Sequence, residues 1–427
     1  MLKTKNNKKI YRNKVENINT INTNANNTTN HWYVNKNVLL ISLSAFFADL
    51  GYQTVVGIFP ILLVLILGAS AELLGIASAL AYGGGAAISY IGGVLGDRYG
   101  NKKIALLGNS FIPILSFIAL AYNPIIAIML FTGGWWARNF RTPSRRALQS
   151  KSVSTENKTR AFGVLHLFDI GGGLLSITLL IILLSFKINL RVILILTIIP
   201  LILSTASLFL VQDVEDKNNH IKYNKMNSSE KRKNINYNLD KHQSSSSGVF
   251  KGVLIATAFY GFSSYSFAFP ILTIAQSSND IFGIASYGIF MGVSAIVGYY
   301  IGTKHLNPVK VLAVLGYFIS AIGAFLLGYG YAASVSTIIM YAIVALLGFG
   351  MGVIETIEPA LIALVSKSKR EGRSMGALGA SRSIGIFTAN LIMGLLYTLS
   401  PFDSYTYAAL VAFCASIILL YFGRSFK

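Results

Sequence analysis

Gly93-Val94-Leu95-Gly96-Asp97-Arg98-Tyr99-Gly100-Asn101-Lys102-Lys103 sets one acid, three bases and a glycine turn between two long apolar segments. Glycine frees the backbone for a tight reversal, and lysine and arginine anchor at a lipid headgroup layer. The stretch therefore reads as a short loop between two membrane helices. The rest of the chain supports that setting. Only 12% of its 427 residues are charged and 53% are hydrophobic, too little charge to cover a soluble domain of this size. The single cysteine, Cys414, lies in an apolar run, so an intrachain disulfide is excluded. Residues 1–37 are rich in Asn and Lys and have no apolar core. They are expected to form a disordered tail, not a cleavable signal.

A helix crossing about 30 Å of hydrocarbon needs about 20 apolar residues. Twelve segments qualify: Val38–Leu67, Leu73–Leu95, Ile104–Ala121, Ile125–Phe140, Ala161–Leu184, Leu190–Val211, Phe250–Ala275, Ile281–Gly302, Val309–Tyr329, Val335–Leu364, Met375–Leu399 and Tyr405–Phe422. The fourth is the weakest, because it ends in arginines. Of the 36 lysines and arginines, 33 fall in the tails and connections on one side of these segments, or at the helix ends facing them. Lys187 and Arg191 lie on the other side, and Arg382 lies inside the eleventh segment. This bias predicts that both termini face the cytoplasm, and it makes the net charge of +20 a matter of topology rather than nucleic-acid binding. Residues 212–248, polar and rich in Asn, Lys and Ser, divide the helices six and six and are expected to be a flexible cytoplasmic linker. The bundles so defined span 38–211 and 249–427.

The halves also repeat. Phe59-Pro60-Ile61-Leu62 recurs as Phe269-Pro270-Ile271-Leu272, and Arg160, Gly163, Asp169 and Gly172 match Arg373, Gly376, Arg382 and Gly385 at one constant offset. Parallel repeats of this kind place a substrate site between the halves near mid-membrane.

From Gly93 onward the pattern resembles the first-loop motif of the major facilitator superfamily, roughly G-x-L-x-D-R-x-G-x-K-K. Arg138-Asn139-Phe140-Arg141-Thr142-Pro143-Ser144-Arg145-Arg146-Ala147-Leu148 is similar to a block ending helix 4 in its prokaryotic branch, although Arg146 stands where an acid is frequent, Asn139 replaces a glycine, and His166 replaces an arginine further on. The resemblance implies an all-α integral membrane protein of two six-helix bundles related by a pseudo-two-fold axis, with helices 1, 4, 7 and 10 lining a central cavity. It further implies that Asp97 contacts the cytoplasmic end of helix 11 and holds the outward-facing state, with Gly93, Arg98, Gly100, Lys102 and Lys103 completing the gate. The equivalent loop, Gly302–Lys310, lacks the acid, so any latch there should be weaker.

Charge inside a bilayer costs about 2.5–3.5 kcal/mol per group even on a lenient scale. Asp49, Asp169, Glu355 and Glu358 are therefore the candidate proton-coupling acids. Glu355 and Glu358 are three apart, share a helix face and repel if both are ionised. The competing reading has Arg138 and Arg382 neutralise these acids in fixed pairs. Asp169 has a helix 4 arginine as one reasonable partner, and Arg382 has Glu355 or Asp97. His166 reads more as a packing residue than as a second proton carrier. Tyr52, Gln53, Arg138, Arg141, Ser263, Tyr265 and Arg382 are the candidate cavity residues, with Trp135 and Trp136 adding aromatic surface suited to amphipathic or aromatic molecules.

These features predict a secondary transporter of a small organic solute, driven by protons, working by alternating access and exporting its cargo by antiport across the plasma membrane. Import of a sugar, organic acid or other metabolite is the alternative. A non-transporting sensor and a membrane-embedded transferase are remote ones. The expected partners are substrate, protons and lipid, with no nucleic acid, cofactor or metal, and the chain is expected to act as a monomer. No G-x-x-x-x-G-K-[ST] loop for ATP occurs in the sequence.

Overall fold

The computed structural model describes residues 35–154, 157–212, 240–302, 307–365 and 371–423. Most of the expected tail (1–37) and linker (212–248) lies outside these ranges. The described residues form twelve membrane-length helical segments: α1 Lys36–Ile66, α2 Ala71–Tyr99, α3 Asn101–Leu120, α4 Pro124–Lys151, α5 Lys158–Ser185, α6 Leu190–Phe209, α7 Asp240–Ser263 with Ala268–Ser277, α8 Asp280–Gly302, α9 Pro308–Ala332, α10 Thr337–Val365, α11 Glu371–Leu399 and α12 Pro401–Phe422. Eleven of them contain a stretch long and apolar enough to cross a bilayer. The exception is α4, whose second half carries the arginines. One boundary needs correction: α7 begins at Asp240, inside the stretch read as linker. A polar sequence can extend a helix beyond the bilayer, because the backbone bonds close internally whatever the side chains.

Helix pairing shows the repeat. In the first half α1 packs on α5 and α6, α4 on α2 and α3, and α3 on α6; the second half repeats this with α7 on α11 and α12, α10 on α8 and α9, and α9 on α12. The halves meet through α2 on α11, α5 on α8 and α1 on the second segment of α7. Small residues bring the backbones together there. At Gly75 a methyl group would sit 2.5 Å from the Asn390 carbonyl oxygen and 2.8 Å from Gly394 Cα. On the opposite face a methyl at Gly288 would lie 3.1 Å from Ile177, and one at Gly292 would lie 3.9 Å from Leu174.

These contacts occupy one end of the molecule. The other end carries the α2–α3 turn, and there Asp97, Arg146, His166 and Glu355 are all exposed. The bundles are thus closed at one end and splayed at the end bearing the charged loop. The tetrapeptide shared by the halves serves two purposes. Pro60 lies within α1, where its missing N–H passes the helix into a wider π-type turn over Ile61–Ile66. Pro270 sits in the first turn of a new helical segment, where no N–H is needed.

Candidate transport site

The break in α7 makes the site. Ser263-Ser264-Tyr265-Ser266 supplies hydroxyls that compete with the helix for its own backbone. Ser263 Oγ donates to the Tyr260 carbonyl at 2.7 Å and Ser264 Oγ to the same oxygen at 3.0 Å. The Ser266 N–H donates to Asn390 Oδ1 of α11 at 2.8 Å, and Ser266 Oγ accepts from the Ala268 N–H at 3.2 Å to restart the helix. Tyr407 of α12 donates to the Phe262 carbonyl at 3.0 Å. Irregular backbone at membrane depth is thereby satisfied by side chains, as it must be away from water.

Beside the break lies a cavity of about 250 Å³. Its wall is largely Tyr260, Tyr265, Phe267, Tyr287 and Phe290, with Ser263, Ser264, Ser266, Ser320 and Asn390 as polar points and Arg382 as the charged one. Among the described residues, only Val56 and Tyr82 come from the first half. Of the helices expected to line the cavity, α1, α7 and α10 contribute to this wall and α4 does not, while α2, α8, α9, α11 and α12 complete it. The cause is a filled first half, where Phe59 and Phe131 stack at 3.9 Å, Tyr82 meets Trp135 at 4.8 Å and Tyr52 meets Trp135 at 5.6 Å.

Two charged clusters flank the cavity. In the second half Arg382 Nη2 lies 2.7 Å from Glu355 Oε1, and its Nη1 lies 3.2 Å from Glu358 Oε2. Tyr317 of α9 donates to the other Glu358 oxygen at 2.9 Å and stacks on Tyr260 at 4.4 Å. The two acids are not equivalent. The Glu358 side chain is 1% exposed with both oxygens bonded, whereas Glu355 is 55% exposed and bonded only to Arg382 among the described residues.

In the first half Arg145 pairs with Asp169 at 3.3 Å. Asp49 accepts from Tyr52 through a short bond and from Gln53 at 3.4 Å, while Tyr287 of the opposite bundle donates to Gln53 Oε1 at 2.9 Å. The Arg138 guanidinium lies 5.0 Å from the Tyr52 ring and 4.8 Å from that of Trp135. Of the expected cavity residues, Ser263, Tyr265 and Arg382 line the wall, and Gln53 reaches it through Tyr287. Tyr52 and Arg138 sit behind it.

Arg141 is a further correction. It is 1% exposed and donates to Asn109 of α3, which is itself held by Ser204 and Thr205 of α6. Three residues after Arg138 it is turned by about 60° around the helix, towards α3 and away from the cleft. Arg145, two turns after Arg138, returns to the same face. Trp135 is packing, and Trp136 donates to the Leu80 carbonyl at 2.8 Å.

At the charged loop, Gly100 adopts φ +101°, a conformation that glycine alone tolerates freely. Gly93 lies against Pro143 of α4, Arg98 over the Tyr99 ring and Lys102 over Phe209; Lys103 is exposed. Asp97 is exposed and has no partner among the described residues. The side chains of 371–381, where its expected contact on α11 falls, are outside the described residues. Asn109, Asn390, Tyr287 and Tyr317 escaped the sequence reading because a lone Asn or Tyr in an apolar run carries no positional signal. The Asp169 partner lay within the arginine block and resolves to Arg145.

Twelve packed helical segments in two repeats, with a cavity beside a broken helix and ion pairs next to it, define a multi-pass membrane protein of transporter architecture. The chain belongs to the Major Facilitator Superfamily, whose sequence profile matches residues 41–235 and 252–427. It is 23% identical to an uncharacterised MFS-type transporter of Methanocaldococcus jannaschii over 412 residues, covering 92% of this chain and 97% of that one. Its fold is similar to the inward-open xylose transporter of E. coli (TM-score 0.66, 14% identity, 90% of this chain and 95% of that one). It is also similar to a POT family transporter crystallised with a thioalcohol-conjugated peptide (TM-score 0.71, 12% identity, 91% and 96%).

Proposed function

We propose that this chain is a proton-coupled secondary transporter of a small amphipathic or aromatic organic solute, with Glu355 as the carboxylate that gains and loses the proton. The observation that carries the reading is the sharing of Arg382 between two unlike acids at the wall of the cavity. Glu358 is buried, doubly bonded and fixed as the counter-charge of Arg382. Glu355 is open to the cleft, and its protonation leaves Arg382 still neutralised by Glu358. A proton can therefore come and go there without stranding a buried charge, which would be costly. Asp49 and Asp169 are secondary carriers in this reading, held near Arg138 and Arg145.

The lysine and arginine bias supports placing the splayed end in the cytoplasm, so that the conformation described is inward-facing and both termini are cytoplasmic. Within that frame we favour export across the plasma membrane by proton–substrate antiport, on the resemblance of the helix 4 block to prokaryotic facilitators. The bound solute and the proton would then compete for the cluster at Arg382.

The test has two stages. A thermal-shift screen of purified protein against sugars, organic acids, amino acids and hydrophobic cations identifies a ligand. Flux of that ligand is then measured in everted vesicles with and without an acid gradient. Gradient-driven accumulation that is lost in E355Q, with gradient-independent exchange retained, is expected. Accumulation in E355Q equal to wild type would refute the coupling assignment.

A further inference from the structure

The hydroxyl hydrogens at three points of the cavity wall are committed to the protein itself. Ser263 Oγ and Ser264 Oγ both donate to the Tyr260 carbonyl, at 2.7 and 3.0 Å. A carbonyl oxygen has no hydrogen to give, so the direction of both bonds is fixed. Tyr287 is fixed through a longer chain. Asp49 Oδ1 accepts from Tyr52 and, at 3.4 Å, from Gln53 Nε2. The amino end of the Gln53 amide therefore faces the carboxylate and its carbonyl end faces Tyr287, whose hydroxyl donates to Gln53 Oε1 at 2.9 Å. Asp49 and Gln53 are both buried, which shields the chain from competing water.

Ser263, Ser264 and Tyr287 all line the cavity. With its hydrogen held by the protein, each hydroxyl oxygen offers only lone pairs to a bound molecule. Asn390 gives its oxygen to the Ser266 N–H and an amide hydrogen to the Ile386 carbonyl. Tyr265 Oη has no partner among the described residues and can serve either way. Charge points in the same direction. Arg382 keeps an unpaired Nε–H, but two carboxylates, Glu355 and Glu358, bind this one base. With both acids ionised the cluster therefore carries an excess negative charge. The rings of Tyr260, Phe267 and Phe290 complete a wall that suits a flat apolar body and favours a cation over an anion.

We propose that the cavity selects an aromatic amine in its protonated form. Its N–H groups donate to the lone pairs displayed by Ser263, Ser264 or Tyr287, and its charge balances the excess acid beside Arg382. Gln53 is then a positioning residue, because it turns the Tyr287 hydrogen away from the cavity. The inference rests on the reading of this cavity as the transport site and names its solute class. A protonated amine and a proton on Glu355 neutralise the same excess charge, so they compete.

The test is calorimetric titration of full-length protein in lipid nanodiscs at neutral pH. The probes share one body: phenethylammonium, its N-trimethyl derivative, phenethyl alcohol and hydrocinnamate. The ammonium is expected to bind about tenfold more tightly than the trimethyl cation, which keeps the charge without the donors. Hydrocinnamate should bind most weakly, and the alcohol, a donor without charge, in between. Y287F removes the accepting oxygen and Q53L frees the Tyr287 hydrogen. Both should narrow the gap between the two cations several-fold, which a difference in probe size alone would not do. E355Q should weaken both cations together. Thermal unfolding of Y287F within error of wild type shows that the variant is folded. Equal binding of the two cations, or hydrocinnamate binding tightest, overturns the solute class alone where Y287F or E355Q still changes that affinity. Absence of binding by any probe also overturns the class alone. Probe binding that none of the three variants alters overturns the class and the cavity reading together.

Discussion

At the scale of residues, Arg382 organises the second half. It is the charged side chain lining the cavity and the shared partner of Glu355 and Glu358. Removing it strands Glu358, which is buried with Tyr317 as its remaining partner. Breaking a buried pair by removing one member costs about 3–5 kcal/mol. R382Q should therefore lower stability by roughly that amount, whereas E355Q, at a half-exposed carboxylate, should cost about 0–1 kcal/mol. Thermal unfolding of the purified variants in one detergent measures the contrast, and equal losses would show that the two acids are not divided into a fixed and an exchangeable partner. The sequence reading reached these residues because ionisable groups in apolar segments stand out. It could not distinguish Glu355 from Glu358: both lie on one helix face, and only the position of Tyr317 on a separate helix separates them.

At the scale of elements, the break in α7 and the contact of α2 with α11 set the geometry. Asn390 receives the Ser266 N–H that the broken helix leaves over. An unsatisfied buried donor costs about 1–3 kcal/mol, so N390L should destabilise the protein by that much and weaken solute binding, read by thermal unfolding and by the ligand-induced shift. N390D, which keeps an acceptor, should bind better than N390L. The second device is the close approach of Gly75 to Gly394 and the Asn390 carbonyl. G75L forces the backbones apart and should disfavour the state described here, giving a labelling pattern shifted towards access from the closed end. An unchanged pattern would mean that this contact is passive. The helices themselves were legible as apolar runs, and α4 was correctly read as the weakest. The break was not, because Ser263–Ser266 in an apolar context fits a continuous helix equally well until Asn390 and Tyr407 are seen to hold the freed backbone. The turn of Arg141 towards α3 was likewise invisible, since it depends on Asn109 waiting there.

At the scale of the whole molecule, two repeats of one helix arrangement have diverged in charge. Each keeps an ion pair between equivalent helices, but the first half packs aromatic rings where the second opens a cavity. The charged loop that identified the fold lies at the splayed end with Asp97 exposed, the arrangement expected if its contact with α11 belongs to the other state. On this account D97N should favour the splayed state further and slow transport without altering ligand affinity in detergent, which flux and thermal-shift assays separate. The central claim is that one carboxylate, Glu355, exchanges the proton. Infrared difference spectroscopy of the reconstituted protein during a pH titration tests it without knowledge of the substrate. The account predicts that the protonated-carboxyl signal titrating in wild type is reduced in E355Q by the contribution of one carboxylate; a titration in E355Q identical to that of wild type would contradict it.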